Sequence, residues 1–225
     1  MGQMTKFDTG PVTLAGQEPL RSGEESLVYQ HPRFQDLLLK LPRQDGRAAL
    51  RMQRPGFKRP LLRRFRHLVS WHLEYSEYLS AVAREGTLPG FVPLHLGICP
   101  TDLGPALLVE KICAPGGELA PTLRDLANTG RLDASIPELL EDFLENLAAS
   151  GIVTRDIWPD NLVLAEAPRR LMLIEGMGCR SALRACHIQL PLTQNRQIRQ
   201  CAALRRWVAE RVEPQPRLPQ GLRLA

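Results

Sequence analysis

Two short apolar runs in the second half of the chain, Leu162 to Leu164 and Leu171 to Ile174, are separated by a segment containing Pro168. Runs of this length around a turn predict a hairpin of two antiparallel strands. Upstream, Val12 to Lys40 reads as strand, turn, strand, turn, strand, the last run being Leu37 to Leu39 with Lys40 at its end. Val92 to Ile98 and Ala106 to Ile112 form two further runs split by the turn residues of CPTDLGP. These pieces predict an antiparallel sheet of about five strands. Between them Leu61, Phe65, Leu68, His72, Tyr75, Leu79 and Val82 recur with a helical period that places His72 on the inward face. Glu74 follows His72 by a rotation of roughly 200° and is expected to point away from that stripe, with Glu77 on its flank. A second helix is expected from Ser135 to Ser150, opened by a capping box of Ser135 and Glu138 and stopped by Gly151. Its stripe is Leu139, Leu140, Phe143, Leu144, Leu147 and Ala148, and a basic helix from about Thr193 to Val212 follows.

The hairpin carries chemistry at one end. Asn161 precedes its first strand and Glu175 follows its second, so antiparallel pairing brings an amide oxygen and a carboxylate side by side. Two hard oxygens so placed suit a cation such as magnesium. Asp156 lies on the loop just before them. One acid to orient a hydroxyl, with two groups to hold magnesium on a triphosphate, is the layout phosphoryl transfer requires.

The segment TRDIWPDN resembles the HRDxxxxN catalytic loop of protein kinases, and EGMG resembles the metal-binding DFG segment that follows it. The chain is most similar to the small bacterial kinase-like proteins of the YrbL type, linked by name to the PhoP regulatory network, in which a DGxG-like turn replaces DFG. The resemblance implies an α+β, two-lobed protein-kinase-like fold with a five-stranded antiparallel N-lobe and a shortened helical C-lobe. It implies ATP and magnesium as ligands, Asp156 as the catalytic aspartate, Asn161 as a nucleotide- and metal-binding residue, and Glu175 as the second metal ligand. Thr154 stands where the family pattern has histidine, Trp158 where kinases often have lysine, and Glu175 is one methylene longer than aspartate. Gly23 fits the central glycine of a degenerate glycine-rich loop, Val28 the valine that packs on adenine, and Lys40 the phosphate-binding lysine one strand later. An ordinary hairpin turn is the alternative for Gly23, and a solvated strand end for Lys40. The resemblance places the partner of that lysine on the helix containing Glu74, where the face assignment leaves it missing or replaced. Backbone groups around Val109 to Ile112 would read the base, and CAPGGELAP would join the lobes. No APE-type anchor for a protein substrate is visible, which favours a hydroxyl acceptor of another kind, or a nucleotide-sensing pseudokinase or regulatory binding module.

Composition narrows the remaining classes. With 225 residues, 44% hydrophobic and 24% charged, the chain suits one core or two small lobes. We expect a flexible tail over 1–10, an N-lobe over 11–112 and a reduced C-lobe over 113–225. No apolar run approaches the roughly 20 residues that span a bilayer, and the start lacks the pattern of a signal peptide, so a cytoplasmic protein is expected. The five cysteines form no CxxC pair, and Cys186 beside His187 reads as an unreactive thiol. Charge is lopsided from Arg43 to Arg66, where nine basic residues face Asp45 alone, and the formal net charge is +5. Such a segment serves either as a solvated face or as a site for an anionic partner. Nucleic acid fits poorly, because aromatic residues make up only 5% of the chain.

Overall fold

The computed structural model of the chain describes residues 11–43, 64–178 and 191–212. The expected tail over 1–10, the Cys186–His187 pair and most of the arginine-rich segment lie outside the described residues. The fold is mixed α+β. Strands β1 (Arg21–Ser22), β2 (Ser26–Gln30), β3 (Leu37–Pro42), β4 (His95–Thr101) and β5 (Gly104–Glu110) form one antiparallel sheet in the order β1-β2-β3-β5-β4. A second, two-stranded sheet is the hairpin of β6 (Leu162–Glu166) and β7 (Arg169–Leu173). The helices are α1 (Val69–Glu85), α2 (Leu123–Asn128), α3 (Ile136–Ser150) and α4 (Pro191–Ala209). None of the described helices is long and apolar enough to cross a membrane.

Strand β3 is central, and its sequence LLLKLP is nearly continuous in apolar residues because both faces are covered. On one face Leu39 and Leu41 pack with Tyr29, Ala106, Val12 and Leu14. On the other, Leu38, Leu107 and Val109 pack with Trp71 of α1. The expected first strand near Val12 is reduced to a single bridge with Thr101, so that segment acts as a cover for the sheet.

Helix α1 also reaches the second core. Tyr78 and Ala81 join Leu126 of α2, Leu140, Phe143, Leu144 and Leu147 of α3, Leu162, Leu164 and Leu171 of the hairpin, and Leu204 and Val208 of α4. In α3 the stripe is narrower than expected: Ile136 joins it, Leu139 is half-buried and Ala148 is exposed. The capping box of Ser135 and Glu138 is absent. Ser135 has helical dihedrals, φ −83° and ψ −19°, whereas a capping residue needs extended ones. Its hydroxyl donates instead to Asp133 Oδ1 at 2.6 Å. A capping box does occur at α2, where Thr122 and Asp125 exchange side-chain and backbone bonds.

Candidate functional site

Register on the sheet brings two of the expected site residues together. Val28 on β2 pairs with Lys40 on β3, so their side chains share one face of the sheet. Lys40 is a buried residue, only 7% exposed, rather than a solvated strand end. A buried ammonium needs partners. Its Nζ lies 3.4 Å from Glu74 Oε1 and 3.3 Å from Glu175 Oε1, and it donates to the Ile174 carbonyl at 3.1 Å.

Glu74 therefore corrects the helix assignment. Described from Val69, α1 buries Trp71, Glu74, Glu77, Tyr78 and Ala81, which places Glu74 on the inward face. His72 is instead half-buried and stacked on Phe65, with ring centroids 3.8 Å apart. The apolar count misled because a carboxylate stands on the buried stripe, held there by partners that lie far away in sequence. Besides Lys40, His95 Nε2 lies 3.2 Å from Glu74 Oε1, and His95 is itself buried. Glu77 is also inward, and its Oε2 accepts the Val153 N–H at 3.2 Å. The helix thus reaches both the sheet lysine and the loop that carries Asp156.

Charge in this cluster is mutually stabilised. Burial raises the Glu74 pKa, but the Lys40 ammonium and the bond from His95 outweigh it and lower the value to about 2. For Lys40, burial acts downward, and the carboxylates of Glu74 and Glu175 reverse it and hold the ammonium above its ordinary value.

The hairpin ends meet as expected. Leu162 pairs with Leu173, and the Ile174 N–H donates to the Asn161 carbonyl at 2.9 Å. The Asn161 side-chain N–H donates to the Asp156 carbonyl at 2.9 Å, which pins the loop. The Arg155 N–H donates to the Gly176 carbonyl at 2.7 Å, and Thr154 bridges Met177. Glu175 Oε1 also accepts the Ser26 hydroxyl at 2.6 Å, linking the β1–β2 turn to the hairpin. Asp156 is partly exposed, with Arg196 3.5 Å from Oδ1 and Arg155 Nε 3.7 Å from Oδ2.

A cleft of about 900 Å³ collects these groups. Its lining includes Gly23, Val28, Asp156, Trp158, Asn161 and Glu175. A narrower apolar slot, touched by Lys40, Val109, Ile112 and Val163, adjoins it through Val28, Ile174 and Glu175, which belong to both. Gly23 sits in a tight turn, its N–H donating to the Ser26 carbonyl at 2.8 Å. The CAPGGELAP segment is a small loop closed by a bridge between Cys113 and Leu119. Among the described residues no group of three or more His, Cys, Asp or Glu side chains is placed to hold a metal. A cation at Asn161 and Glu175 would need further oxygens from a ligand.

The turn after β7 tolerates no side chain. Gly176 has φ +97°, and a Cβ there would fall 2.4 Å from the Asp156 carbonyl oxygen. Gly178, at φ +86°, would meet Leu73 at 2.7 Å. Gly176→Ala is expected to destabilise the protein by about 2–4 kcal/mol, because a strained φ and a backbone clash add. Gly116→Ala, where a Cβ meets nothing within 4 Å, is the matched control with little effect. Urea unfolding of both variants checks this, and equal midpoints would count against the steric reading of the turn.

No curated protein matches the chain. A family model described as PhoP regulatory network protein YrbL matches residues 12–209, which takes in the sheet, the cleft residues and α4. The chain belongs to the YrbL family of PhoP regulatory network proteins.

Proposed function

We propose that the protein is an ATP- and magnesium-dependent phosphotransferase with a kinase-like fold, acting on a hydroxyl acceptor. The observation that carries this reading is the buried Lys40, held between Glu74 of α1 and Glu175 at the hairpin end, beside a cleft that also contains Asn161 and Asp156. A lysine so placed can meet phosphate, and the slot beside Val28 and Val109 offers apolar walls to a base.

Asn161 and Glu175 would hold magnesium. Their donor chemistry fits, since this ion takes one or two carboxylate or carbonyl oxygens and completes its shell with phosphate and water. When bound, the ion supplies charge neutralisation on the phosphates. Lys40 binds phosphate with its ammonium, and Asp156 orients the acceptor hydroxyl or accepts its proton. The Asn161 bond to the Asp156 carbonyl and the Glu77 bond at Val153 fix where that carboxylate stands.

Thermal unfolding with nucleotide tests the binding half of this reading. At a hundredfold excess over Kd, a ligand specific for the folded state adds about 2.7 kcal/mol. For a chain of this size that corresponds to a rise of roughly 5–10 °C. Lys40→Met should lose most of the rise, judged against its own melt without ligand. No rise in the wild-type protein with millimolar ATP and magnesium or manganese removes the nucleotide reading.

A further inference from the structure

Arg155 is placed unlike an ordinary surface arginine. It lies next to Asp156, lines the 900 Å³ cleft, and its side chain is only 9% exposed. Nη1 is fully buried and has no hydrogen-bond partner among the described residues. The other nitrogens have long contacts, Nη2 to Glu25 Oε2 at 3.4 Å and Nε to Asp156 Oδ2 at 3.7 Å. Charge-assisted bonds of arginine are ordinarily about 2.7–2.9 Å. A buried guanidinium whose donors are this poorly matched is costly unless another ligand completes it.

The backbone shows that the position itself is firmly built. The Arg155 N–H donates to Gly176, and its carbonyl accepts Gln200 Nε2 at 2.7 Å and Arg196 Nη2 at 3.0 Å from α4. Glu25 of the β1–β2 turn faces the guanidinium through Nη2, and the buried Glu74 carboxylate also feels its charge. Glu25 belongs to the turn that also contains Gly23 and lines the same cleft.

We infer that Arg155 binds the terminal phosphate of a nucleoside triphosphate, and that Glu25 occupies its guanidinium until the phosphate replaces it. This rests on the nucleotide reading above. Phosphate matches the guanidinium fork better than one carboxylate oxygen at 3.4 Å. The assignment makes opposite demands on two residues that now pair with each other. Removing the arginine must weaken triphosphate binding, and neutralising the glutamate must strengthen it.

The test is isothermal titration of the full chain with ATP and with ADP, both with magnesium, for wild type, Arg155→Gln, Arg155→Lys and Glu25→Gln. Wild type should bind ATP more tightly than ADP. Arg155→Gln should weaken ATP by roughly 10- to 100-fold, the scale of a charged hydrogen bond, with ADP changed far less. Arg155→Lys should recover part of the loss, and Glu25→Gln should tighten ATP. If wild type binds neither nucleotide, the nucleotide reading itself fails. If wild type binds ATP while Glu25→Gln weakens it or leaves it unchanged, the role of Arg155 is overturned and the nucleotide reading stands. Glu25 lies in the turn between β1 and β2, outside both hydrophobic cores, so the Glu25→Gln arm decides the matter even where Arg155→Gln fails to fold.

Discussion

Glu74→Gln should cost about 3 kcal/mol at neutral pH and should remove part of the acid sensitivity of folding. A buried carboxyl held at about 2, against an ordinary 4.5, contributes on that scale through proton linkage. The sign follows from the lowered value. The stability Glu74 supplies is fully present above pH 4.5 and drains away as pH falls towards 2, because the unfolded chain takes up the proton first. Lys40 acts at the other limit: its raised pKa gives stability that is present below 10.5 and is lost as pH rises beyond it. Glutamine keeps the shape of Glu74 and an acceptor for His95, but leaves the Lys40 charge with Glu175 alone. Urea unfolding at pH 6 and pH 3 measures the difference. The advantage of wild type over Glu74→Gln should shrink by roughly half at the lower pH. Parallel losses in the two proteins would mean that the cluster contributes nothing through the charge on Glu74.

Which parts of this architecture were legible in the sequence follows from the range of the interactions that set them. Hairpin β6–β7 was readable because its cues are local: two apolar runs, a turn, and polar residues at both ends. The central strand ending near Lys40 was readable for the same reason, since a strand covered on both faces shows as a run of leucines. Helix α1 was misread in phase. Its buried face carries Glu74 and Glu77, which look like solvent residues until Lys40, His95 and the Val153 N–H are brought to them from distant parts of the chain. A signal was present nonetheless. Glu74 lies three and four residues from Trp71 and Tyr78, so weighting the aromatic residues above His72 would have put it on the inward stripe. Ser135 failed differently, because Asp133, two residues earlier, accepts the Ser135 N–H that Glu138 would take in a capping box, and also binds the hydroxyl. Arg155 was passed over because, within its loop, the pattern match assigned work to Asp156 and Asn161 alone, and its link to Glu25 spans 130 positions of the chain.

Single-turnover phosphate transfer should fall by about 10²–10⁴ in Asp156→Asn, while ATP affinity changes by no more than a few fold. That range is what a positioned acid or base contributes. On the proposed reading the two effects separate, because the residue would act on the acceptor while base and phosphates would be held by other groups. The substitution preserves shape, and the Asn161 bond is made to the backbone carbonyl, so the loop stays pinned. Glu175→Asp divides the remaining possibilities. Shortening that side chain withdraws it from Ser26, now at 2.6 Å, and from Lys40, at 3.3 Å. In an enzyme adapted to glutamate both turnover and magnesium-dependent binding should drop. In a nucleotide sensor descended from an enzyme, the shorter acid should improve magnesium-dependent ATP binding without any transfer, since magnesium tolerates poor octahedral geometry badly. The existing bonds of Glu175 favour the first outcome, because its length is what lets one oxygen reach both the turn and the sheet lysine. Equal transfer rates for wild type and Asp156→Asn would remove the proposed catalytic role of Asp156, and no transfer by either protein, with ATP still bound, would favour nucleotide sensing.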